Sequence, residues 1–390
     1  MLTITDDQRR ARLGARHALA ARVAGPEQVV DAVACLHATE PASVYLSVAA
    51  RSDADRTEVH RALYTDRSVV RQLAMRRTLF AFPREALPAA WGSASARVAA
   101  QIGARLAKEV VGGGLADDGA AWVEQWSATV LRRLRDDGPA TTAELRAALP
   151  ELGRRLEMAP GKNYGGSFPV APRLLSVLAA GGVVLRGENQ GDWRTSRPRW
   201  TATEQWLGEQ PRPVTTDEGY LELVTRWLRR FGPGTEADLV WWLGATKSAV
   251  RRALAEVGAV EVGLDHGPGW VLPDDLEPVP PVEPWAALLP VLDPTVMGWR
   301  DRAFYLDPDD VPQLFDVNGN AGTTAWWDGR VVGCWVQDED AAVRVVPCRD
   351  IGADARVSLD REAARLTAWL AGDRVATVYP SAAMRAARPA

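Results

Sequence analysis

Cysteine and histidine are scarce in this chain of 390 residues, which has three cysteines and four histidines. The cysteines, at positions 35, 334 and 348, are widely spaced and form no CxxC pair, which argues against a disulfide framework and against a zinc site. The scattered histidines argue likewise against a metal centre, so we expect neither a metal nor any other cofactor.

Long apolar runs are also missing. No stretch approaches the roughly 18 consecutive apolar residues of a membrane-spanning helix. The first residues contain no basic segment followed by an apolar one, so no secretory signal is predicted and we expect a cytoplasmic location.

Positive charge is not in excess either, since the formal net charge is −4 and the pI is about 5.8. A basic stripe is the usual signature of a nucleic-acid-binding protein. The cations are nearly all arginine, however, with lysine only at positions 108, 162 and 247. Arginine suits phosphate and minor-groove contacts, although a GC-rich genome would produce the same bias.

The composition is that of a globular protein, with 47% hydrophobic and 25% charged residues. At this length one core is not enough, and two to four domains are expected.

The clearest repeating unit spans residues 216–273. A helix with apolar residues at helical spacing is followed by a short helix from Thr235, a Gly-Ala-Thr turn, a third helix over 248–257, and two short strands at 259–263 and 270–272. This order is that of a winged-helix domain, which we place at 214–276.

The same order recurs between residues 120 and 210, with a longer insertion at 153–167. Two copies with similar internal spacing indicate an internal repeat. Residues 1–110 give a looser third copy, with helices predicted over 6–23, 27–36, 41–51 and 55–64, a strand pair at 69–74 and 78–82, and a connecting helix over 83–105.

A Pro-rich linker at 277–284 separates this part from a region dominated by strands, at 285–390. Strands are predicted over 286–292, 303–306, 324–327, 331–336, 343–347 and 375–379, with one helix over 360–370. The predicted fold class is therefore mainly α with β: three tandem winged-helix domains and a C-terminal antiparallel β-rich α+β domain.

Four segments of the C-terminal region carry a resemblance to a known family: LPVLDP at 289–294, GWRDR at 298–302, NGNAGTTAW at 318–326 and DGRVVG at 328–333. Together with PRLL at 172–175 and the following Trp193–Trp200 wing, they resemble the AlkZ-like and YcaQ-like bacterial DNA glycosylases across essentially the whole chain. The resemblance implies double-stranded DNA as partner and hydrolysis of the N-glycosidic bond of bulky N7-alkylated purines, in base excision repair or genotoxin self-resistance.

The family is expected to position water with two glutamines flanking one aliphatic residue, near the end of a helix in its first winged helix. Here the corresponding segment reads Cys-Leu-His-Ala-Thr-Glu-Pro over 35–41, so His37 and Thr39 replace both glutamines. We hypothesise that His37 orients or deprotonates the water and that Thr39 or Glu40 holds it. The alternatives are a packed helix-end histidine and a glutamate that caps the helix at Pro41.

Candidate DNA contacts come from the third helix of each repeat and from one loop. Arg173, Lys247, Arg251 and Arg252 could reach phosphates, although exposed helix arginines are usually just solvated. Asn318 and Asn320 lie in a Gly-containing turn that permits close backbone approach to a groove.

Two other functions remain open at this point. Loss of the glutamines would leave a non-catalytic DNA-binding protein, either a transcription regulator or an adduct sensor. A winged-helix scaffold that binds proteins would fit the acidic pI. A regulator is usually a dimer on palindromic sites, whereas three winged helices in tandem predict a monomer.

Overall fold

The computed structural model describes residues 2–158, 166–280 and 282–387. The chain forms two compact units: the first contains Met1–Val70, Phe80–Arg84 and Tyr220–Ala390, and the second contains Arg71–Leu79 and Glu85–Gly219. The boundaries of the four predicted domains stay a prediction.

The N-terminal stretch has shorter helices than predicted. Its elements are α1 (Asp6–Arg16), α2 (Pro26–Ala32), β1 (Leu36–His37), α3 (Pro41–Ala49), α4 (Arg56–His60) with a π-helical turn at Arg61–Thr65, β2 (Val69–Ala74) and β3 (Thr78–Pro83). The three strands form a sheet in the order β1-β3-β2. The helix predicted over 27–36 is wrong beyond Ala32, because Ala34 has a φ of +60°, which ends the helix and lets the next residues enter a strand.

The second unit contains the first full repeat. Its elements are α5 (Leu87–Ala90) with a π-helical turn at Trp91–Ser95, α6 (Ala96–Gly112), α7 (Gly119–Asp137), α8 (Thr142–Ala148), β4 (Arg155–Met158), β5 (Gly166–Pro169), α9 (Ala171–Ala180), β6 (Val184–Asn189), β7 (Pro198–Ala202) and α10 (Thr203–Leu207). The strands β6 and β7 form the antiparallel hairpin that follows α9. Part of the predicted insertion, residues 159–165, lies outside the described residues, and its flanks pair as β4 and β5.

The later repeat has the same order: α11 (Thr216–Phe231), α12 (Glu236–Leu243), α13 (Lys247–Glu256), β8 (Val260–Leu264) and β9 (Gly267–Val271). In both copies the short second helix begins with a capping box, formed by Thr141 with Glu144 and by Thr235 with Asp238. The hairpin strand β9 starts earlier than predicted. That the two stretches are winged-helix domains remains our interpretation of this shared order.

The C-terminal stretch is built on one antiparallel sheet. Its elements are β10 (Ala286–Leu289), α14 (Pro294–Met297), α15 (Val311–Leu314), β11 (Thr324–Trp327), β12 (Arg330–Gln337), β13 (Val343–Pro347), α16 (Ala353–Leu370) and α17 (Ala382–Ala386). The strand order is β10-β11-β12-β13, and α16 packs against β10 and β13. Helices with antiparallel sheets are thus confirmed as the fold class.

Two predicted strands of this region are wrong. Residues 303–306 form a turn, in which Tyr305 N donates to Arg302 O at 3.1 Å, and the side chains of Phe304, Tyr305 and Leu306 are buried. Residues 375–379 run in irregular conformation, because their backbone donors go to side chains: Val375 N to Gln337 Oε1 and Val378 N to Glu40 Oε1.

A fully buried ion pair joins Arg51, which follows the end of α3, to Asp293, the N-cap residue of α14. Arg51 and Asp293 are both 0% exposed, and the guanidinium contacts the carboxylate through two parallel bonds of 2.8 and 2.6 Å. The remaining three donors of Arg51 reach Ser47 O, Thr295 Oγ1 and His17 O at 2.8 to 3.0 Å. All five N–H groups of this arginine therefore have acceptors, which is the condition under which a buried charge is tolerated.

His17 belongs to the same network and is held in its neutral form. Its Nδ1 lies 2.8 Å from Thr295 Oγ1 and its Nε2 lies 3.1 Å from Arg230 O. Thr295 Oγ1 accepts from Arg51, so the hydroxyl proton of Thr295 is available to be donated to His17 Nδ1. The Nε2–H group of His17 then donates to the carbonyl of Arg230. Complete burial, followed by the charge of Arg51, holds the pKa of His17 well below its usual value.

Stability should therefore fall as the pH drops below about 6.5, the usual pKa of histidine in an unfolded chain. In this range the unfolded state binds the proton and the folded state does not, so this one residue contributes a slope of about 1.4 kcal/mol per pH unit. Urea denaturation between pH 7.5 and 5.5 measures it. His17→Gln should lose this part of the slope, whereas the control His60→Gln, a change at an exposed histidine, should keep it. Equal slopes in the two variants would contradict the assignment.

Candidate active site and DNA-contacting residues

The segment of residues 35–40 connects the buried interior to the surface. His37 lies in β1 opposite Phe80, with ring centroids 5.1 Å apart, and is only 6% exposed. Thr39 and Glu40 are half-buried, so the accessible side chains of the predicted site are these two rather than the histidine. The placement of His37 at a helix end is wrong, since it stands in a strand.

Glu40 occupies the N-cap position of α3, but its side chain does not cap that helix. Its Oε1 accepts instead from Thr377 Oγ1 at 2.9 Å and from Val378 N at 2.7 Å. Within the described residues, Oε2 makes no hydrogen bond. The carboxylate is thus fixed through one oxygen, while the other is available to a water molecule or a ligand.

Burial raises the pKa of Glu40, and the two hydrogen bonds from Val378 and Thr377 oppose that rise. A carboxylate with a raised pKa binds a proton closer to neutral pH than an ordinary surface glutamate does. This property suits a group that takes a proton from water.

Replacing Thr377 with valine is expected to raise the pKa of Glu40 further, because the hydroxyl stabilises the charged carboxylate. The shift can be measured by NMR titration of the side-chain carboxyl carbons of glutamate, with the Glu40 resonance assigned by its absence in Glu40→Gln. Thr377→Ser keeps the hydroxyl and should titrate as the wild type does. A Thr377→Val curve that coincides with the wild-type curve would show that this bond does not tune the carboxylate.

A cavity of about 390 Å³ opens beside Glu40. It is bounded by α3, by the loop after β10, by β12, by residues 374–377 and by α17. Most of its lining side chains are apolar, including Leu46, Val291, Trp335, Val336 and Met384.

The loop that carries Asn318 and Asn320 lies in the same unit and is closed by a bridge between Phe315 and Ala321. Asp316 accepts from the backbone N–H of both asparagines and from the Asn320 side chain, at 2.8 to 2.9 Å. Asn320 therefore serves to fold the loop, whereas the side chain of Asn318 is exposed beside the fully exposed Val317.

The charges of Glu40 and of Asp316 in this loop both affect the pKa of Tyr379. Burial, and next the negative charges of Glu40 and Asp316, raise the pKa of the Tyr379 phenol. Glu40 and Thr323, which follows this loop in the sequence, line the same cavity.

The predicted arginine and lysine contacts have different surroundings. On α13, Lys247 and Arg252 are exposed, and Arg251 is exposed but paired with Glu236 at 2.7 Å. In the second unit, Arg173 is half-buried and its Nη1 lies 2.5 Å from Glu109. Arg173 lines a cavity of about 440 Å³ together with Arg77 and Arg105.

Three residues of the site were missed from the sequence. Thr377, Val378 and Tyr379 carry no local signal, since they follow Glu40 by more than 330 positions. Asp316 did carry one, because an aspartate before an Asn-Gly-Asn run is typical of a side-chain-supported turn.

Among the described residues, no three histidine, cysteine, aspartate or glutamate side chains are grouped so as to hold a metal ion. None of the described helices is both long and apolar enough to cross a membrane.

A family model described as "DNA glycosylase AlkZ-like" matches residues 30–369 of the chain. No curated protein sequence matches it. Among solved structures, the chain is similar to the DNA glycosylase AlkZ of Streptomyces sahachiroi, with a TM-score of 0.73 and 21% sequence identity over 94% of this chain and 98% of that one. This structural similarity shows a common fold.

The family model spans most of the sequence and includes the segment of His37, Thr39 and Glu40 as well as the C-terminal sheet. Its members are described as DNA glycosylases, which act on DNA. The chain therefore belongs to the AlkZ-like family of DNA glycosylases.

Proposed function

We propose that this protein hydrolyses the N-glycosidic bond of bulky N7-alkylated purines in double-stranded DNA, and that Glu40 activates the attacking water. The observation that carries the proposal is the state of this carboxylate. One oxygen is fixed by Thr377 and Val378, the other is available beside a cavity, and burial raises its pKa.

The reaction requires few other catalytic groups from the protein. Alkylation at N7 gives the base a positive charge, so it departs as a neutral leaving group without being protonated. What remains is to deliver a water molecule and to stabilise the positive charge that develops on the sugar, and a carboxylate can do both.

The burial of His37 changes the role that we propose for it. A side chain that is 6% exposed has little room to touch the attacking water, whereas Glu40 and Thr39 are accessible. We therefore propose that His37 positions the segment from its buried side and that the Thr39 hydroxyl holds the water.

We propose that two sets of residues contact the DNA. Lys247, Arg251 and Arg252 on α13, and Arg173 on α9, bind phosphates. The loop with Asn318 and Asn320 enters a groove, with the exposed Val317 at its tip as an apolar contact.

The proposal is tested with a duplex that contains one N7-benzylguanine, followed by cleavage of the abasic sites formed. The wild type should yield product and an undamaged duplex none, while His37→Ala should be slower than the wild type. Wild-type activity in His37→Ala would remove this residue from the site. No product from the wild type, on a duplex that it binds, would favour a DNA-binding protein without catalysis.

A further inference from the structure

The cavity beside Glu40 has a size typical of ligand pockets. Its volume is about 390 Å³, and small-molecule sites in proteins commonly enclose about 300 to 1,000 Å³. It is therefore large enough for an aromatic ring with its linking carbon. A solvent-filled surface groove would not distinguish such a group from a methyl group.

Polar groups that line the cavity are engaged with the protein, including the guanidinium of Arg374, which donates to Glu339 O. The indole N–H of Trp335 donates to Leu289 O at 2.8 Å, and the hydroxyl of Thr323 donates to Trp335 O at 2.5 Å. The amide nitrogen of Gln337 donates to two backbone carbonyls, those of Ala341 and Asp373. An occupant would thus find apolar surface rather than hydrogen-bond partners, and apolar groups gain most from such a site.

Among the described residues, Glu40 is the anionic group that lines the cavity, where hydrogen bonds hold it, and Arg374 is a cationic one whose guanidinium is bound to Glu339 O. An N7-alkylpurine combines a delocalised positive charge on its ring with a substituent attached to that same ring. A carboxylate next to an apolar chamber is complementary to this combination, since the charge and the substituent are recognised side by side.

We propose that this cavity receives the apolar N7 substituent of the damaged purine, and that it gives the enzyme its preference for bulky adducts over N7-methylpurines. The inference rests on the proposed function, because it places the cationic base against Glu40.

Ala376 allows the cavity to be blocked without disturbing the core. It lines the cavity, but it is exposed and lies in the irregular segment after α16. Ala376→Trp should fill the mouth of the cavity. The matched control is Ala364→Trp, which places the same side chain at an exposed position of α16.

Binding is measured first, with duplexes containing 2′-fluoro-2′-deoxyguanosine alkylated at N7, because the fluorine protects the N-glycosidic bond. The wild type and Ala364→Trp should bind the N7-benzyl duplex about tenfold or more tightly than the N7-methyl duplex. Ala376→Trp should abolish this ratio while leaving affinity for the methyl duplex within about twofold. Equal affinities in the wild type, or an unchanged ratio in Ala376→Trp, would overturn the proposal.

Base release is then measured with the corresponding deoxyguanosine duplexes, which separates the two proposals. A wild type that prefers the benzyl duplex but releases neither base would refute the proposed function and leave the cavity assigned as a binding site. A wild type that releases both bases without a binding preference would refute the cavity and leave the glycosylase function in place.

Discussion

Replacing Asp293 with alanine is expected to lower the free energy of unfolding by about 3 to 5 kcal/mol. The substitution leaves the completely buried guanidinium of Arg51 without its counter-ion. It also removes the acceptor of Ser47 Oγ and the cap of α14, whose Thr295 N donates to Asp293 at 2.9 Å. Few single substitutions in this chain should cost more.

The measurement is chemical denaturation of Asp293→Ala beside Asp350→Ala. Asp350 also faces an arginine, Arg356 at 3.6 Å, but it is 90% exposed, and its removal should cost less than about 1 kcal/mol. Replacing both members of the buried pair, as Arg51→Met with Asp293→Leu, should recover part of the loss because no charge is left buried. Equal costs for Asp293→Ala and Asp350→Ala would contradict the role given to this pair.

The largest expected effect on activity is that of Glu40→Gln, which should slow base release by about 10²- to 10⁴-fold. An amide can keep the bonds from Thr377 and Val378 through its carbonyl oxygen, but it can neither take a proton nor stabilise a cationic sugar. The fold and the DNA affinity should therefore be retained, and the loss should appear in the rate at saturating protein.

Single-turnover rates measure this effect, with Glu339→Gln as control. Glu339 is an exposed glutamate in the turn after β12, and the same change there should leave the rate within about twofold of the wild type. A loss confined to duplex affinity in Glu40→Gln would assign the carboxylate to binding rather than to chemistry.

Local signals in the sequence were sufficient for the repeated helix–helix–helix–hairpin order. Apolar spacing, Thr-initiated capping boxes and Gly-containing turns act within a few residues, and the structure confirms this order in both copies. The strand pairs β11–β12 and β12–β13 were predictable for the same reason, since short turns join them.

Distant contacts were not predictable. Residues 375–379 have the β-branched composition of a strand, yet their backbone is satisfied by Gln337 and by Glu40, side chains that lie far away in the sequence. Helix propensity likewise extended α2 through Leu36, whereas the positive φ of Ala34 directs the chain into β1. Both errors arise where tertiary contacts override local preference.

The roles of the candidate site residues also depend on distant contacts. The family resemblance directed attention to residues 37–40, and the titratable imidazole of His37 made it the leading group of the hypothesis. Which of them is accessible depends on the pairing of β1 with β3 and on the segment around Thr377. These contacts favour Glu40 over His37.

The central claim is that Glu40 drives hydrolysis of an N7-alkylated purine, and release of the free base tests it most directly. Purified protein is incubated in excess over a duplex with a single N7-benzylguanine, and the liberated base is measured by mass spectrometry. We expect steady release by the wild type and a trace by Glu40→Gln at equal occupancy of the duplex. Release at the same rate by both proteins, or none by the wild type when the duplex is bound, would contradict the account.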